Sequence, residues 1–129
     1  VEVLKYVCGV DCGTAINPKL AEGQVEGAVA NGLSYALTEE YIFDKKGKML
    51  NNNFQEYKIF NTESLPDMSI KLVESYEPTG PYGAKSVSEI GINGPIPAIS
   101  NAFYNAVGVR PDRSPLTPEY VLKLLEEKN

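Results

Sequence analysis

Gly80-Pro81-Tyr82-Gly83-Ala84-Lys85-Ser86-Val87-Ser88-Glu89-Ile90-Gly91-Ile92-Asn93-Gly94-Pro95-Ile96-Pro97 is the stretch around which the rest of this chain is arranged. It sets four glycines, three prolines and two serines around one acid, Glu89. Glycine opens backbone angles that regular elements do not use, and proline removes a backbone donor, so no strand or helix crosses the whole span. A long shaped loop is expected. Ala84, Val87, Ile90 and Ile92 recur inside it, which presses the loop against the body of the protein. A rigid, half-buried loop that carries one carboxylate is a candidate place for chemistry, with Glu89 as its acid or base. An Ω-loop whose glutamate faces solvent fits the same composition. The loop residues leave both readings open.

The totals narrow what surrounds it. A chain of 129 residues suits one domain, spanning 1–129, with a core but no room for two. With 43% apolar and 22% charged residues, the composition is that of an ordinary soluble protein. The net charge is −5, and no basic cluster exceeds Lys45-Lys46, so a nucleic-acid partner lacks its electrostatic footprint. No apolar run approaches the roughly 18 residues of a membrane span and no signal-like segment is present, so no membrane partner and a cytoplasmic location are expected.

Histidine is absent. That removes the Ser-His-Asp triad, the Cys-His pair and any histidine-based zinc site from the chain's own repertoire, and no metal ligand set is expected. Cys8 and Cys12 on one strand would lie roughly 13 Å apart, beyond disulfide reach. Buried structural thiols are the expectation.

Working outward from the loop, Val3 to Val10 reads as a mostly buried strand. Asn17-Pro18 follows as a helix start, with asparagine as cap and proline in the first turn. Val25, Ala28, Val29, Gly32, Leu33 and Ala36 then recur at helical spacing and define an amphipathic helix of about 20 residues. Beside that face runs a stripe of Gln24, Gly27 and Asn31, small and amide residues that admit a close ligand, or equally a tight crossing of helix on sheet. Thr38 to Phe43 is expected as a strand, turned at Asp44-Lys45-Lys46-Gly47-Lys48 into a return at Met49-Leu50. Gln55 to Phe60 is undecided between strand and helical turn. Ser69 to Glu77 is a further strand, Pro95 to Val107 a helix stopped by Gly108, and Glu119 to Lys128 a last helix behind Thr117-Pro118. The expected fold is α+β: a small mixed sheet of about four strands, one long helix packed on it and two C-terminal helices.

Four motifs share one resemblance. Asp11-Cys12-Gly13-Thr14-Ala15-Ile16-Asn17-Pro18, Gly23-Gln24-Val25-Glu26-Gly27-Ala28, Gly83-Ala84-Lys85-Ser86-Val87-Ser88-Glu89 and Pro115-Leu116-Thr117-Pro118-Glu119 occur in that order. Together they resemble the C-terminal part of the molybdenum-binding subunit of the xanthine dehydrogenase and aldehyde oxidase family, over nearly the whole chain. The resemblance implies that Glu89 is the general base beside the molybdenum, and that Gln24 contacts the molybdopterin cofactor. It implies that Gly83, Ala84, Lys85, Ser86, Val87 and Ser88 line that cofactor; for Lys85, an ammonium that stitches the loop is the other reading. Ser86 and Ser88 stand where many members of the family have glycine. The cofactor so implied is molybdopterin in a dinucleotide form with molybdenum, shared with a missing N-terminal portion of the molybdenum subunit. Iron–sulfur and FAD centres would then belong to partner subunits, since this chain has no cysteine pattern for clusters.

Two functional readings follow. One is a component of a molybdenum hydroxylase that supplies the base and part of the cradle and is inactive alone. The other is a non-catalytic, truncated remnant or assembly module that keeps the fold. An exposed apolar face is expected where the missing portion would sit, and a homo-oligomer could cover it.

Overall fold

The computed structural model describes residues 1–128. Lys5–Asp11 forms strand β1 and Asp67–Val73 forms strand β2; they pair in parallel, from Lys5 opposite Asp67 to Asp11 opposite Val73. Between them in sequence runs helix α1, Pro18–Leu37. Its start is fixed by the Asn17 side chain, whose oxygen accepts a hydrogen bond from the Leu20 amide at 3.1 Å, with Pro18 in the first turn. Every residue of the expected apolar stripe is buried, and Val25, Val29 and Leu33 are wholly so, at 0% exposure. Burying each of these three stabilises the fold by about 1.5–3 kcal/mol as an upper bound.

One face of the strand pair is the floor on which α1 lies. Val10 and Ile70 are buried there, with Tyr6, Cys8, Met68 and Leu72 half-buried around them. Helix α2, Pro95–Val107, crosses α1 at Gly32. A Cβ on Gly32 would come within 2.6 Å of the Pro95 ring and 3.0 Å of the Ile92 carbonyl oxygen, so the crossing needs glycine. Gly108, at φ 72°, closes α2 with its amide on the Tyr104 carbonyl at 2.7 Å. Helix α3, Pro118–Lys128, buries Tyr120 and Leu124, and its approach is tied to the end of α1 by the Leu116 amide on Ala36 at 2.7 Å.

The sheet corrects the sequence-based expectation. Among the described residues it has two strands, not about four, and they are parallel rather than mixed. Thr38 to Phe43 is not a strand. The turn at Asp44 to Lys48 does form, with Gly47 at φ 79° and the Asp44 carboxylate accepting the Lys46 and Lys48 amides. Its arms, however, pair only at Phe43 and Met49. Asparagine side chains take over the backbone groups that a ladder would have used. The Asn51 amide accepts from the Ile42 N–H at 2.9 Å and donates to the Glu40 carbonyl at 2.7 Å. Asn53 accepts from the Gln55 amide at 3.0 Å, and the Tyr57 amide donates to the Asn53 carbonyl at 2.8 Å, so Gln55 onward begins as a turn. Such local side-chain bonds compete with strand pairing, and three consecutive asparagines supply them in quantity.

β1 departs from expectation too. It is buried on one face only: Leu4 just ahead of it and Val7 within it are 77% and 61% exposed. Parallel strands are ordinarily covered on both faces. Among the described residues, no helix is long and apolar enough to cross a membrane.

Candidate functional site

The end of β1 builds the site. Asp11 Oδ1 accepts the Gly13 amide at 2.9 Å, which folds the chain into a tight turn and leaves Gly13 at φ 63°. Gly13 and Ala84 then pair as an antiparallel bridge. The Thr14 amide donates to the Gly83 carbonyl and the Lys85 amide donates to the Cys12 carbonyl, both at 2.8 Å. There is no room between the two backbones. A Cβ on Gly13 would overlap the Gly83 carbonyl oxygen and stand 2.7 Å from the Lys85 nitrogen. Cys12 is buried beneath this pairing and Cys8 is half-buried; both thiols are free, and burial raises the pKa of Cys8.

Side chains reinforce the pairing. Lys85 Nζ lies 2.7 Å from Asp11 Oδ2 and 2.8 Å from Ser75 Oγ, and the Ser75 hydroxyl donates to the same Oδ2 at 2.7 Å. The hydrogen bond from the Lys85 ammonium, with those from Gly13 and Ser75, holds the Asp11 carboxyl far below the usual carboxylate range. These contacts to Asp11 and Ser75 are the ones the loop-stitching reading of Lys85 expects.

Beyond Lys85 the loop runs to α1. Gln24 Nε2 donates to the Ser88 carbonyl at 2.9 Å, and Val87 packs against the core. Glu89 follows at φ −106°, ψ −5°, the sparsely populated bridge region where active-site residues often sit. Its carbonyl accepts the Ile92 amide at 3.1 Å, opening a 3-10 turn over Ile90–Ile92. Gly91 in that turn lets the chain lie on α1, where an added Cβ would come to 3.0 Å from Ala28. The Glu89 side chain is exposed, and its carboxylate forms no hydrogen bond or ion pair among the described residues.

Two grooves flank the Gln24–Ser88 bond. One, of about 400 Å³, is bounded by Thr14 to Asn17, the first turns of α1, and Ala84 to Ser88. The other, of about 420 Å³, holds Glu89 with Gln24, Gly27, Asn31, Tyr35 and Ser88. The amide stripe of α1 therefore lines one groove with the glutamate, and the open space at Gly27 shows that it does not pad a helix crossing. Nothing lies within 4 Å of a Cβ placed on Gly23 or Gly27, so both glycines leave open space at the groove wall. Of the residues singled out from the sequence, Gln24, Ala84, Lys85, Ser86, Val87 and Ser88 line the first groove, Glu89 joins Gln24 and Ser88 in the second, and Gly83 is buried beneath, in the backbone pairing.

Two residues of the site, Asp11 and Ser75, have no site role in the sequence reading. Asp11 sits in a quoted motif, and its Asp-X-Gly spacing is an Asx-turn signal that points to structure. Asn31 was visible in the amide stripe. Ser75 had no signal, because only the tertiary fold brings it to Asp11.

Residues 1–66 match a family model described as a molybdopterin cofactor-binding domain. That span includes Gln24 and stops short of Glu89; matches along the whole chain cover the remainder. The probable hypoxanthine oxidase XdhD of Escherichia coli strain K12 is 40% identical over 124 residues, covering 95% of this chain and 13% of that protein. The putative xanthine dehydrogenase molybdenum-binding subunit XdhA of the same organism is 42% identical over 118 residues, covering 91% of this chain and 15% of that protein. The crystal structure of quinoline 2-oxidoreductase from Pseudomonas putida 86 superposes with a TM-score of 0.91 at 30% identity, over 98% of this chain and 16% of its own. The chain spans less than a fifth of the length of each.

Proposed function

Because this chain belongs to the xanthine dehydrogenase and aldehyde oxidase family of molybdenum-binding subunits, we propose that it supplies the general base, Glu89, and one wall of the molybdopterin site in a molybdenum hydroxylase. The observation that carries this reading is the shared groove: an exposed carboxylate with no protein partner among the described residues faces the neutral amides of Gln24 and Asn31.

The donor set suits a pterin. A heterocycle with alternating donors and acceptors on its edge is recognised by uncharged amides, hydroxyls and backbone groups, not by ions. Gln24, Asn31, the hydroxyls of Ser86 and Ser88 and the backbone of Ala84 to Ser88 would hold it, with Gly23 and Gly27 leaving room for close approach. When bound, the cofactor supplies the two-electron oxidation of the substrate. The chain's own part is proton transfer: Glu89 would accept a proton at the reacting centre. Its bridge-region backbone and the Ile90–Ile92 turn aim the carboxylate. Closure of the groove by the rest of the subunit would exclude water and strengthen that transfer.

Turnover is assigned to the larger assembly. The groove containing Glu89 is bounded on one side by α1 and the loop, and the relatives are some six times longer or more. The remaining walls would come from the N-terminal portion of a molybdenum subunit, the electron acceptors from iron–sulfur and flavin subunits, and the cofactor would be a dinucleotide form. The substrate class is a purine or related N-heterocycle, following the names of the relatives at 40% and 42% identity.

Glu89→Gln in the assembled, cofactor-loaded enzyme tests the base. Oxidation of hypoxanthine, xanthine and an aldehyde is followed with a dye acceptor. For whichever is turned over, kcat should fall by about 10²–10⁴-fold while molybdenum content stays unchanged. Undiminished turnover removes the assignment.

A further inference from the structure

The span from Lys85 to Glu89 is held at two points that share no element. At its far end Gln24, on α1, grips the Ser88 carbonyl. At its near end Lys85 is fixed twice: its backbone amide bonds to Cys12, and its ammonium reaches Asp11 and Ser75. Asp11 ends β1, and Ser75 lies two residues past the end of β2. The ammonium therefore ties the loop to the tips of both strands. Both carboxylate oxygens of Asp11 are used, Oδ1 by the Gly13 amide and Oδ2 by the Ser75 hydroxyl and Lys85 Nζ.

We propose that Lys85 is a positioning residue, clamped by Asp11 and Ser75, that sets where the four-residue step to Glu89 begins and hence where the Glu89 carboxylate stands. This rests on the reading of Glu89 as the base. Lys85 is also one of the residues that line the groove of about 400 Å³. A lysine that contacted the cofactor there would act by binding it. A lysine turned to Asp11 and Ser75 acts through geometry. A compact ammonium with three rotatable donors suits this task, since it answers a carboxylate and a hydroxyl at once. Displacing a catalytic group by about 1 Å costs on the order of 10²-fold in rate, so a clamp of this kind is visible in kcat.

The test uses Lys85→Met, Asp11→Asn and their combination in the assembled, cofactor-loaded enzyme, with hydrogen exchange of the Thr14 and Lys85 amides as the structural readout. Each single change should speed that exchange by about tenfold or more and lower kcat by about 10- to 100-fold, with KM within about twofold. The double variant should be no worse than the single ones, because both changes break one clamp. Lys85→Arg should recover most of the rate, and the milder Ser75→Ala should move both readouts the same way by less. Unchanged exchange overturns the proposal, as does faster exchange at full kcat. Lost molybdenum or a raised KM in Lys85→Met alone, with Asp11→Asn normal, assigns Lys85 to the cofactor instead. If Glu89→Gln retains turnover, the base reading falls by itself; the exchange data and their non-additivity still decide whether the clamp exists.

Discussion

Two irregular segments of this protein, Gly80 to Pro97 and Thr38 to Phe60, are built in opposite ways. The first is bolted down through backbone. Gly13, Gly32 and Gly91 let main chain lie directly on main chain, a proline ring and the Ala28 methyl group respectively, and the loop's amides and carbonyls bond directly to the strand tip. The second is held by side chains. Asn51 and Asn53 bridge its backbone groups, and the Tyr57 hydroxyl donates to Glu39 at 2.7 Å, which raises its pKa. Tyr41 stacks on Tyr57 at 5.4 Å, and Phe54 next to them is 87% exposed. The contrast teaches where rigidity is concentrated. Backbone pairing fixes a position with few torsions between the anchor and the functional atom, whereas side-chain bridges carry their own rotamer freedom. The segment with the candidate base has the first kind of support, to which the Gln24 and Lys85 side chains add the second.

That contrast can be broken most sharply at Gly13. Gly13→Ala adds a Cβ where the Gly83 carbonyl oxygen already stands, and it does so at a positive φ. A loss of about 3 kcal/mol in urea denaturation is expected, with faster proteolysis between residues 80 and 94. A loss under about 1 kcal/mol would show that the loop yields easily and is not backbone-anchored.

Asn51→Ala probes the other segment. It removes one acceptor and one donor from a nearly buried site, leaving the Ile42 amide and Glu40 carbonyl without their partner. About 1–3 kcal/mol should be lost, and exchange should rise at Ile42 while Thr14 and Lys85 remain protected. Coupled loosening of both regions would mean that they form a single cooperative unit.

The smallest effect is that of acid. The Asp11 carboxyl titrates lower in the folded chain than its unfolded value near 4, so its stabilising contribution is present above that value and is lost as pH falls below it. Asp112, lowered by its hydrogen bond from Tyr120, and Glu77, lowered by Thr79, share the direction. Stability from pH 5 down to pH 3 should therefore fall less steeply in Asp11→Asn than in the parent chain. Equal slopes would show that the exposed Lys85–Asp11 pair adds nothing measurable, as many surface pairs do.

Helices were legible in the sequence because their determinants are local. The Asn17 cap, Pro18, the spacing from Val25 to Ala36 and the Gly108 stop each act within one or two turns, and α1, α2 and α3 stand where those signals put them. The loop's character was legible for the same reason: its glycines and prolines exclude any regular element that spans it. Strand count was not. Tyr41-Ile42-Phe43 has strand-forming residues, but pairing depends on a distant partner, and the Asn51 side chain occupies the Ile42 amide and Glu40 carbonyl instead. Local signals in the sequence were enough for the helices and the shaped loop, and they nominate Glu89 and Gln24 as candidates. It took the closed fold to end the sheet at two parallel strands, to bring Ser75 and Asp11 to Lys85, and to set the amide stripe of α1 in one groove with Glu89. Caps and helical periodicity are written within a few residues, whereas a contact between residues 64 or 74 positions apart exists only once the chain has closed on itself.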